Sequence, residues 1–573
     1  MFLIKSFFIA FVFMFFSVQV YSEQVIYDYN QRFHPVVSEH GMVASQEKRA
    51  SEIGLAILKQ GGNAVDAAYA MAYALAVTLP RAGNIGGGGF MLLYSAKDKQ
   101  VYAIDYREKA PMHASANMFL TENLTVDSDK SRYSLYAVGV PGTVAGFELA
   151  RERFGTMPRQ TLIKPAIRLA ESGFEVGYDL SSSLKRARDR MLTNDAAAKI
   201  FYKSNGEAHN VGDTLIQKDL AKTLKAISKY GKKTFYDGEI AEKIVDYMQT
   251  ENGLITKVDL KNYEAVVRTP VTGNYRSYTV YSMPPPSSGG IHLIQLLNIL
   301  EPFNLSELGH NSAQSIYVMA EAMKYAYADR SKYLGDPDYV DIPTAFLLSK
   351  TRATQIADKI KENKVVSSDS IYPGMRHAIS EGNETTHFTV MDSFGNVVSN
   401  TYTLNFSYGV KKVVPGTGIL LNNQMDDFSS KPGAMNAYGL IGSKANEIVP
   451  GKRMLSSMTP TIVLKDGIPY LATGSPGGSR IITTVLQVLL NSIDYDMNIA
   501  EASVAPRLHH QWKPDELRIE EGLSKDTISL LEKMGYRVVK KWAMGSTQSI
   551  VKKDTYFYGY SDPRKPDALT VGY

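Results

Sequence analysis

The 573-residue chain contains no cysteine. That absence removes disulfide cross-links and thiol nucleophiles together, so the protein is held by its core alone. Strong charge of either sign is missing too: 63 Lys and Arg against 58 Asp and Glu leave +5, spread along the chain. This argues against a nucleic-acid footprint and leaves acidic small substrates open. No repeat period or low-complexity tract suggests a solenoid or a disordered tail. Several catalytic signatures are lacking as well. There is no H-E-x-x-H, no P-loop and no G-x-S-x-G elbow, because "TGSPGG" has Thr473 where the first glycine would stand. The run "GNIGGGGF" lacks the strand, G-x-G-x-x-G and helix order of a dinucleotide site, and reads as close backbone packing near a cleft. His509 and His510, adjacent and without a carboxylate at ligand spacing, read as surface or loop residues. No metal and no cofactor is expected.

Long apolar runs are confined to the N-terminus, "MFLIKSFFIAFVFMFFSVQVYSEQ". One positive charge at Lys5, an apolar run from Phe7 to Phe16, and Val20 and Ser22 in small-x-small spacing mark an export signal over residues 1–22. The run is shorter than the roughly 20 residues a bilayer span requires, so cleavage near Ser22 and a periplasmic or secreted protein are expected, with no stable membrane span afterwards. The stretch "NAVDAAYAMAYALAVTLP" reads as a buried helix between Gly61-Gly62 and Pro80.

What is present is a pair of countable hairpins. Residues 386–391 and 397–403 alternate in strand fashion, and Ser393-Phe394-Gly395 fits a three-residue loop with glycine in the left-handed position. In that register Thr385 faces Thr403, with side chains in contact. In the second hairpin, "SSMTPTIVL" and "PYLATGSPGG" flank an Asp466-Gly467 tip, which brings Ser456 and Ser457 beside Pro476 and Gly477 to within a residue or two. Gly477-Gly478 then open a helix whose buried face carries Ile482, Val485, Leu486, Leu489 and Leu490. Two backbone N–H groups at such a turn can form an oxyanion site.

Thr385 has no His or Lys beside it by spacing. Were the Glu384–Thr385 bond cut, the freed α-amine, with a reference pKa of about 7.7–8.0, would suit it as the base for its own hydroxyl. By spacing alone, an ordinary half-buried strand fits the same residues.

From about residue 36 to Tyr573 the chain resembles the γ-glutamyltranspeptidases, which are N-terminal-nucleophile hydrolases. The segments "GNIGGGGFML", "DYREKAP", "MPPPSSGGIH", "TTHFTVMD", "TYTLN", "LLNNQMDDF", "KRMLSSMTPTIV" and "GSPGGSRI" occur in family order. The resemblance implies an α+β fold, a four-layer αββα sandwich formed jointly by two chains of one precursor. These would be a large chain of residues 23–384 and a small catalytic chain of residues 385–573, a heterodimer produced by self-cleavage. It implies glutathione and other γ-glutamyl compounds as donors, and water, amino acids or dipeptides as acceptors. By the same resemblance Thr385 is the nucleophile, Thr403 positions its hydroxyl, and the Gly477 and Gly478 N–H groups stabilise the oxyanion. Arg107, Ser456 and Ser457 would hold the donor α-carboxylate, and Asn405, Gln424 and Asp427 its α-ammonium; Asn405, two residues beyond Thr403, falls on the same strand face by the counted register. A guanidinium fork suits the first task and a carboxylate with amide oxygens the second. Otherwise Arg107 would be a surface residue paired with Asp105 or Glu108. Residues 429–453 resemble a lid loop with Tyr438 over the pocket. The one departure is Thr389, where many members have Ser. "PPPSSGGIH" carries no role readable from physics, and His292 reads as structural.

Two alternatives stand beside this. One is an acylase of the same fold, acting on another side-chain amide or on poly-γ-glutamate. The other is an exported two-lobed solute-binding protein, needing a cleft but neither nucleophile nor chain break.

Overall fold

The alternation over residues 386–403 is realised as the middle of a sheet. The computed structural model describes residues 31–371, 385–431 and 441–573. In it the strands Thr386–Met391 and Val397–Thr403 pair antiparallel from Thr386 opposite Tyr402 to Met391 opposite Val397. The loop closes through the Asp392 N–H on Asn396 O, with Gly395 at φ 90°. That left-handed backbone is the one a three-residue hairpin asks of glycine. Met42–Ser45 pairs on one side and Gly88–Ser95 on the other, so the hairpin occupies the centre of a seven-stranded sheet. Thr385, one residue before its strand, therefore emerges mid-sheet and is 4% exposed.

The second hairpin has its tip at Asp466-Gly467, both with positive φ, and pairs Thr461–Lys465 with Ile468–Thr473. Its register shifts at Val463/Leu464 because Pro469 has no N–H to donate to the ladder. The ladder ends at Thr461 opposite Thr473, so Ser456 and Ser457 do not continue it. They belong instead to a separate segment that bridges in parallel to Ser287. This hairpin is part of a second seven-stranded sheet that also holds Tyr278–Ser282, Gln548–Lys553 and Tyr556–Ser561.

The two sheets lie face to face with helices outside both. Lys48–Lys59 and Ala64–Thr78 cover the first sheet, and Gly289–Leu300, Ala313–Tyr333 and Ile481–Ile493 cover the second. The result is the αββα sandwich. Ala64–Thr78 is buried at every position. Asn63 and Asp66 form a capping box at its start, and Asp66 also accepts from the Thr156 hydroxyl and the Thr156 and Met157 N–H groups. An acid on an otherwise apolar helix is thus satisfied at the terminus that favours negative charge. Among the described residues no helix is long and apolar enough to cross a membrane. Residues 1–22, expected from sequence to be an export signal, lie outside them.

The glycine run packs as closely as its composition suggests. A Cβ on Gly86 would come within 2.1 Å of Leu420 O, and one on Gly87 within 2.1 Å of Thr403 O. The helix that opens after Gly478 is buried from Ile481 through Ser492, more completely than a single apolar face requires.

Candidate active site

Thr385 lies opposite Thr403, their hydroxyl oxygens 3.5 Å apart, at the outer limit of a hydrogen bond. The Thr403 hydroxyl accepts the Asn405 N–H at 2.8 Å, which orients it toward its neighbour. The nearest titratable side chain on this strand face is His387. Its ring nitrogens are engaged by Thr401 Oγ1 at 2.8 Å and Thr389 Oγ1 at 3.0 Å. Thr389 in turn donates to Gln548 O at 2.7 Å, so its oxygen is left to accept from the ring. Burial drives the His387 pKa down to about 3. A neutral, fully engaged imidazole cannot serve Thr385 as base. Either Ser or Thr at position 389 supplies the hydroxyl this chain of bonds uses.

Thr385 opens into a pocket of about 350 Å³, mouth included, which Arg107, Thr403, Asn405, Gln424, Asp427, Ser456, Ser457 and Gly478 also line. Nine of the ten residues singled out from sequence therefore share one cavity; the tenth, Gly477, sits one step behind Gly478. Gly477 has φ 136° and Gly478 φ 58°, a turn conformation that side-chain-bearing residues rarely adopt.

Arg107 is fully buried and pairs with neither sequence neighbour at close range. Its Nη2 donates to Asp427 Oδ2 at 2.5 Å and to Leu455 O at 3.2 Å, and its Nε to Met454 O at 3.1 Å. Asp105 instead takes the Arg107 backbone N–H and the Arg268 side chain. Arg107 Nη1 is a buried donor with no hydrogen-bond partner, 3.7 Å from Glu108 Oε2. On the other side of Asp427, Gln424 Nε2 donates to the same Oδ2 at 2.7 Å while its buried Oε1 has no partner. One carboxylate is thus flanked by a donor and an acceptor that each lack a hydrogen-bond partner.

Asn405 reaches this pocket by a route different from simple strand alternation. The strand ends at Thr403, and Asn405 sits at φ 76°, a conformation Asn tolerates better than most residues. Its Nδ2 donates to Asn423 O at 3.0 Å.

Other participants were not legible in the sequence. The Ser287-Ser288 turn of "PPPSSGGIH" braces the Ser456 segment: Ser288 N–H and Oγ both donate to Ser456 O at 2.8 Å, and Ser287 Oγ donates to Met458 O at 2.6 Å. Arg330, from a distant helix, also lines the pocket. Glu108 lies buried under Arg107 with neither carboxylate oxygen hydrogen-bonded, and burial raises its pKa to about 7 against the opposing pull of Arg107. No spacing rule flags these residues, because each becomes relevant only when remote segments meet. In the stretch 429–453, expected from the resemblance to be a lid, Asn446 is a packed bracket: its Nδ2 donates to Asp427 O and its Oδ1 accepts from Leu455 N–H. Tyr438 lies outside the described residues.

The two adjacent histidines correct the sequence reading. Both are fully buried: His509 bonds Thr483 and Gln511, and His510 Nε2 lies 3.2 Å from Asp515. Folding the 508–519 strand pair beneath the Ile481 helix buries what looked like loop polars. His292 is buried without a ring hydrogen bond and stacks on Tyr327, a structural placement. Among the described residues no group of three or more His, Asp or Glu is arranged to hold a metal.

Two seven-stranded sheets between helical layers, with a threonine leading a central strand into the pocket, define an N-terminal-nucleophile hydrolase fold. The solved cephalosporin acylase of Bacillus halodurans shares it at TM-score 0.85 and 28% identity, over 96% of this chain and 98% of that one. Residues 50–572 match the family described as gamma-glutamyltranspeptidase. The glutathione hydrolase proenzyme of Escherichia coli (strain K12) is 56% identical over 94% of this chain and 93% of its own length. The solved Helicobacter pylori γ-glutamyltranspeptidase is 46% identical, TM-score 0.58, over 60% of this chain and 99% of that one. The chain belongs to the γ-glutamyltranspeptidase family.

Proposed function

We propose that this chain is an exported precursor that cuts itself before Thr385, and that the resulting large (23–384) and small (385–573) chains act together as a γ-glutamyltransferase and glutathione hydrolase. Thr385 Oγ attacks the γ-carbonyl of glutathione or another γ-glutamyl compound while the new α-amine takes the hydroxyl proton. The Gly477 and Gly478 N–H groups meet the tetrahedral oxyanion, and a donor of this kind is worth about 2.7–4 kcal/mol in the barrier. Collapse breaks the C–N bond, the leaving amine carries off the proton, and a γ-glutamyl ester remains on Thr385. Water or an acceptor amino acid or dipeptide then attacks the ester and restores the hydroxyl.

One observation carries the reading. Arg107 Nη1 and Gln424 Oε1, a donor and an acceptor each buried without a hydrogen-bond partner, flank Asp427 at the pocket that holds Thr385. A carboxylate and an ammonium on a single carbon match that pattern, and Ser456 and Ser457 stand on the carboxylate side. The names of the Escherichia coli and Helicobacter pylori relatives support the same reaction. An acylase reading draws on the shared fold of the Bacillus halodurans enzyme. The paired cationic and anionic groups favour an amino-acid head group over an apolar acyl chain.

The test is intact-mass analysis of purified protein together with release of amine from a γ-glutamyl compound. Two chains, the smaller beginning Thr-Thr-His-Phe, with turnover are expected. A single uncut chain that still binds glutamyl compounds would instead indicate a solute-binding protein.

A further inference from the structure

Two buried guanidinium groups line the Thr385 pocket, and they are neutralised differently. Arg107 has the Asp427 carboxylate at 2.5 Å. Arg330, in the last turn of the helix Ala313–Tyr333, is held by hydroxyls: its Nε donates to Ser288 Oγ at 3.0 Å and its Nη2 to Ser457 Oγ at 3.1 Å. Among the described residues no carboxylate comes within ion-pair distance of it. Burial lowers its pKa to about 10, which leaves it charged at neutral pH; Tyr327 and Asp427 act upward at longer range and Arg107 acts downward. A desolvated cation satisfied only by neutral acceptors is an uncompensated cost in the free protein. The lining of the pocket therefore holds two cations and one anion, with the surplus positive charge behind Ser457.

We propose that Arg330 is a specificity-determining residue: it fixes the Ser457 hydroxyl, with Ser288 as its second tether, and its unpaired charge selects donors with an ionised α-carboxylate over neutral α-carboxamide analogues. The inference rests on the γ-glutamyl reading above and extends it to a residue outside the donor-contact set. A carboxylate bound at Ser457 brings the counter-charge that Arg330 lacks. A carboxamide brings none, and binding it leaves the desolvation of Arg330 unrelieved. The hydroxyl between them relays orientation, because an Oγ that accepts from Arg330 points its own proton toward the ligand.

The experiment compares γ-glutamyl p-nitroanilide with its α-carboxamide analogue on the purified, processed enzyme and on Arg330→Gln, Arg330→Lys and Ser288→Ala variants. Arg330→Gln should cut the carboxylate-to-carboxamide ratio of kcat/KM by roughly tenfold or more, since hydrogen bonds to charged groups are the stronger class. The change should fall chiefly on KM. Arg330→Lys, which keeps the charge, should retain most of the ratio. Ser288→Ala, which removes one tether and no charge, should lower it by a few-fold. A ratio in Arg330→Gln within twofold of wild type overturns the proposal, as does an equal loss for both substrates through kcat, the mark of a merely structural role. If Arg330→Gln fails to fold or process, the Lys and Ala variants decide: a ratio lost in Arg330→Lys, or unmoved in Ser288→Ala, overturns it. Failure of the wild type to release p-nitroaniline would bring down the γ-glutamyl reading itself. Turnover with an Arg330-independent ratio would bring down this inference alone.

Discussion

The two faces of the central hairpin carry opposite kinds of residue. Phe388, Val390, Val398 and Tyr402 turn toward the helix Ala64–Thr78 and join the larger apolar core, with the Tyr402 hydroxyl anchored on Ala72 O. Thr385, His387, Thr389, Ser399, Thr401 and Thr403 turn the other way, into the space between the sheets. There Ser399 accepts the Thr461 N–H and donates to Thr473 O, while Thr389 reaches Gln548 O. One face supplies burial. The other is a row of hydrogen-bonded hydroxyls and one imidazole whose open end is Thr385, the proposed nucleophile. A period of two lets a single strand do both without compromise. The polar row is tolerable because nearly every member has a partner, and the cost of burying it is thereby offset.

Substitutions can separate the two faces. The largest effect should come from Thr385→Ala, which removes the hydroxyl proposed to serve both cleavage and turnover. Denaturing gels should show one uncut chain, and γ-glutamyl release should fall by about 10⁶-fold, as for nucleophiles that act within a unit. Normal processing in that variant would contradict the assignment. The uncut chain is also the right background for stability, since it unfolds as one piece. There Phe388→Ala, on the apolar face, should cost about 3–5 kcal/mol in denaturant unfolding. A loss below about 1 kcal/mol would mean that this face is not the stabilising one.

Glu108→Gln probes titration at the polar end. The Glu108 carboxyl is raised from 4.5 to about 7 by burial, with Arg107 opposing and Asp427 and Asp105 adding to the rise. Between those values the folded chain holds a proton that the unfolded chain has released, so the group's contribution to stability is present below pH 4.5 and is lost as pH rises toward 7. Removing it should make the slope of stability against pH more positive by about 1.4 kcal/mol per pH unit over that window. His387 works in the opposite sense: held neutral down to about pH 3, it costs stability as pH falls below its usual 6.5. An unchanged slope in Glu108→Gln would show that the carboxyl is ionised throughout. The smallest effect belongs to Thr401→Val, which keeps shape but strips His387 Nδ1 of its 2.8 Å partner. It should cost about 1–3 kcal/mol, with γ-glutamyl release retained. A large loss of activity would mean that His387 acts on Thr385 after all.

Much of this was open to counting along the chain. The pairing of Thr385 with Thr403 follows from the length of one glycine turn, and the turn at Gly477-Gly478 from its position between a strand and an apolar helix. Counting failed where the backbone departs from regular geometry. The second ladder stops at Thr461, and the parallel bridge to Ser287 takes Ser456 away from that hairpin, while the positive φ of Asn405 brought it into the pocket from beyond its strand. It also failed for burial: the polarity of His509 and His510 gave no sign that strands and helix would enclose them.

By itself, then, the amino-acid order determined the strand period, the turn chemistry and the lack of any thiol, because these depend on residues within a few positions of one another. It thereby set Thr385 opposite Thr403 at the head of a strand, while the proposal that Thr385 is the nucleophile came from the family resemblance. Only the tertiary structure decided which charges surround that threonine. Arg107, Arg330 and Asp427 come from segments far apart in the chain, and whether a buried guanidinium meets a carboxylate or a hydroxyl is settled by packing between layers, where desolvation makes that choice energetically large.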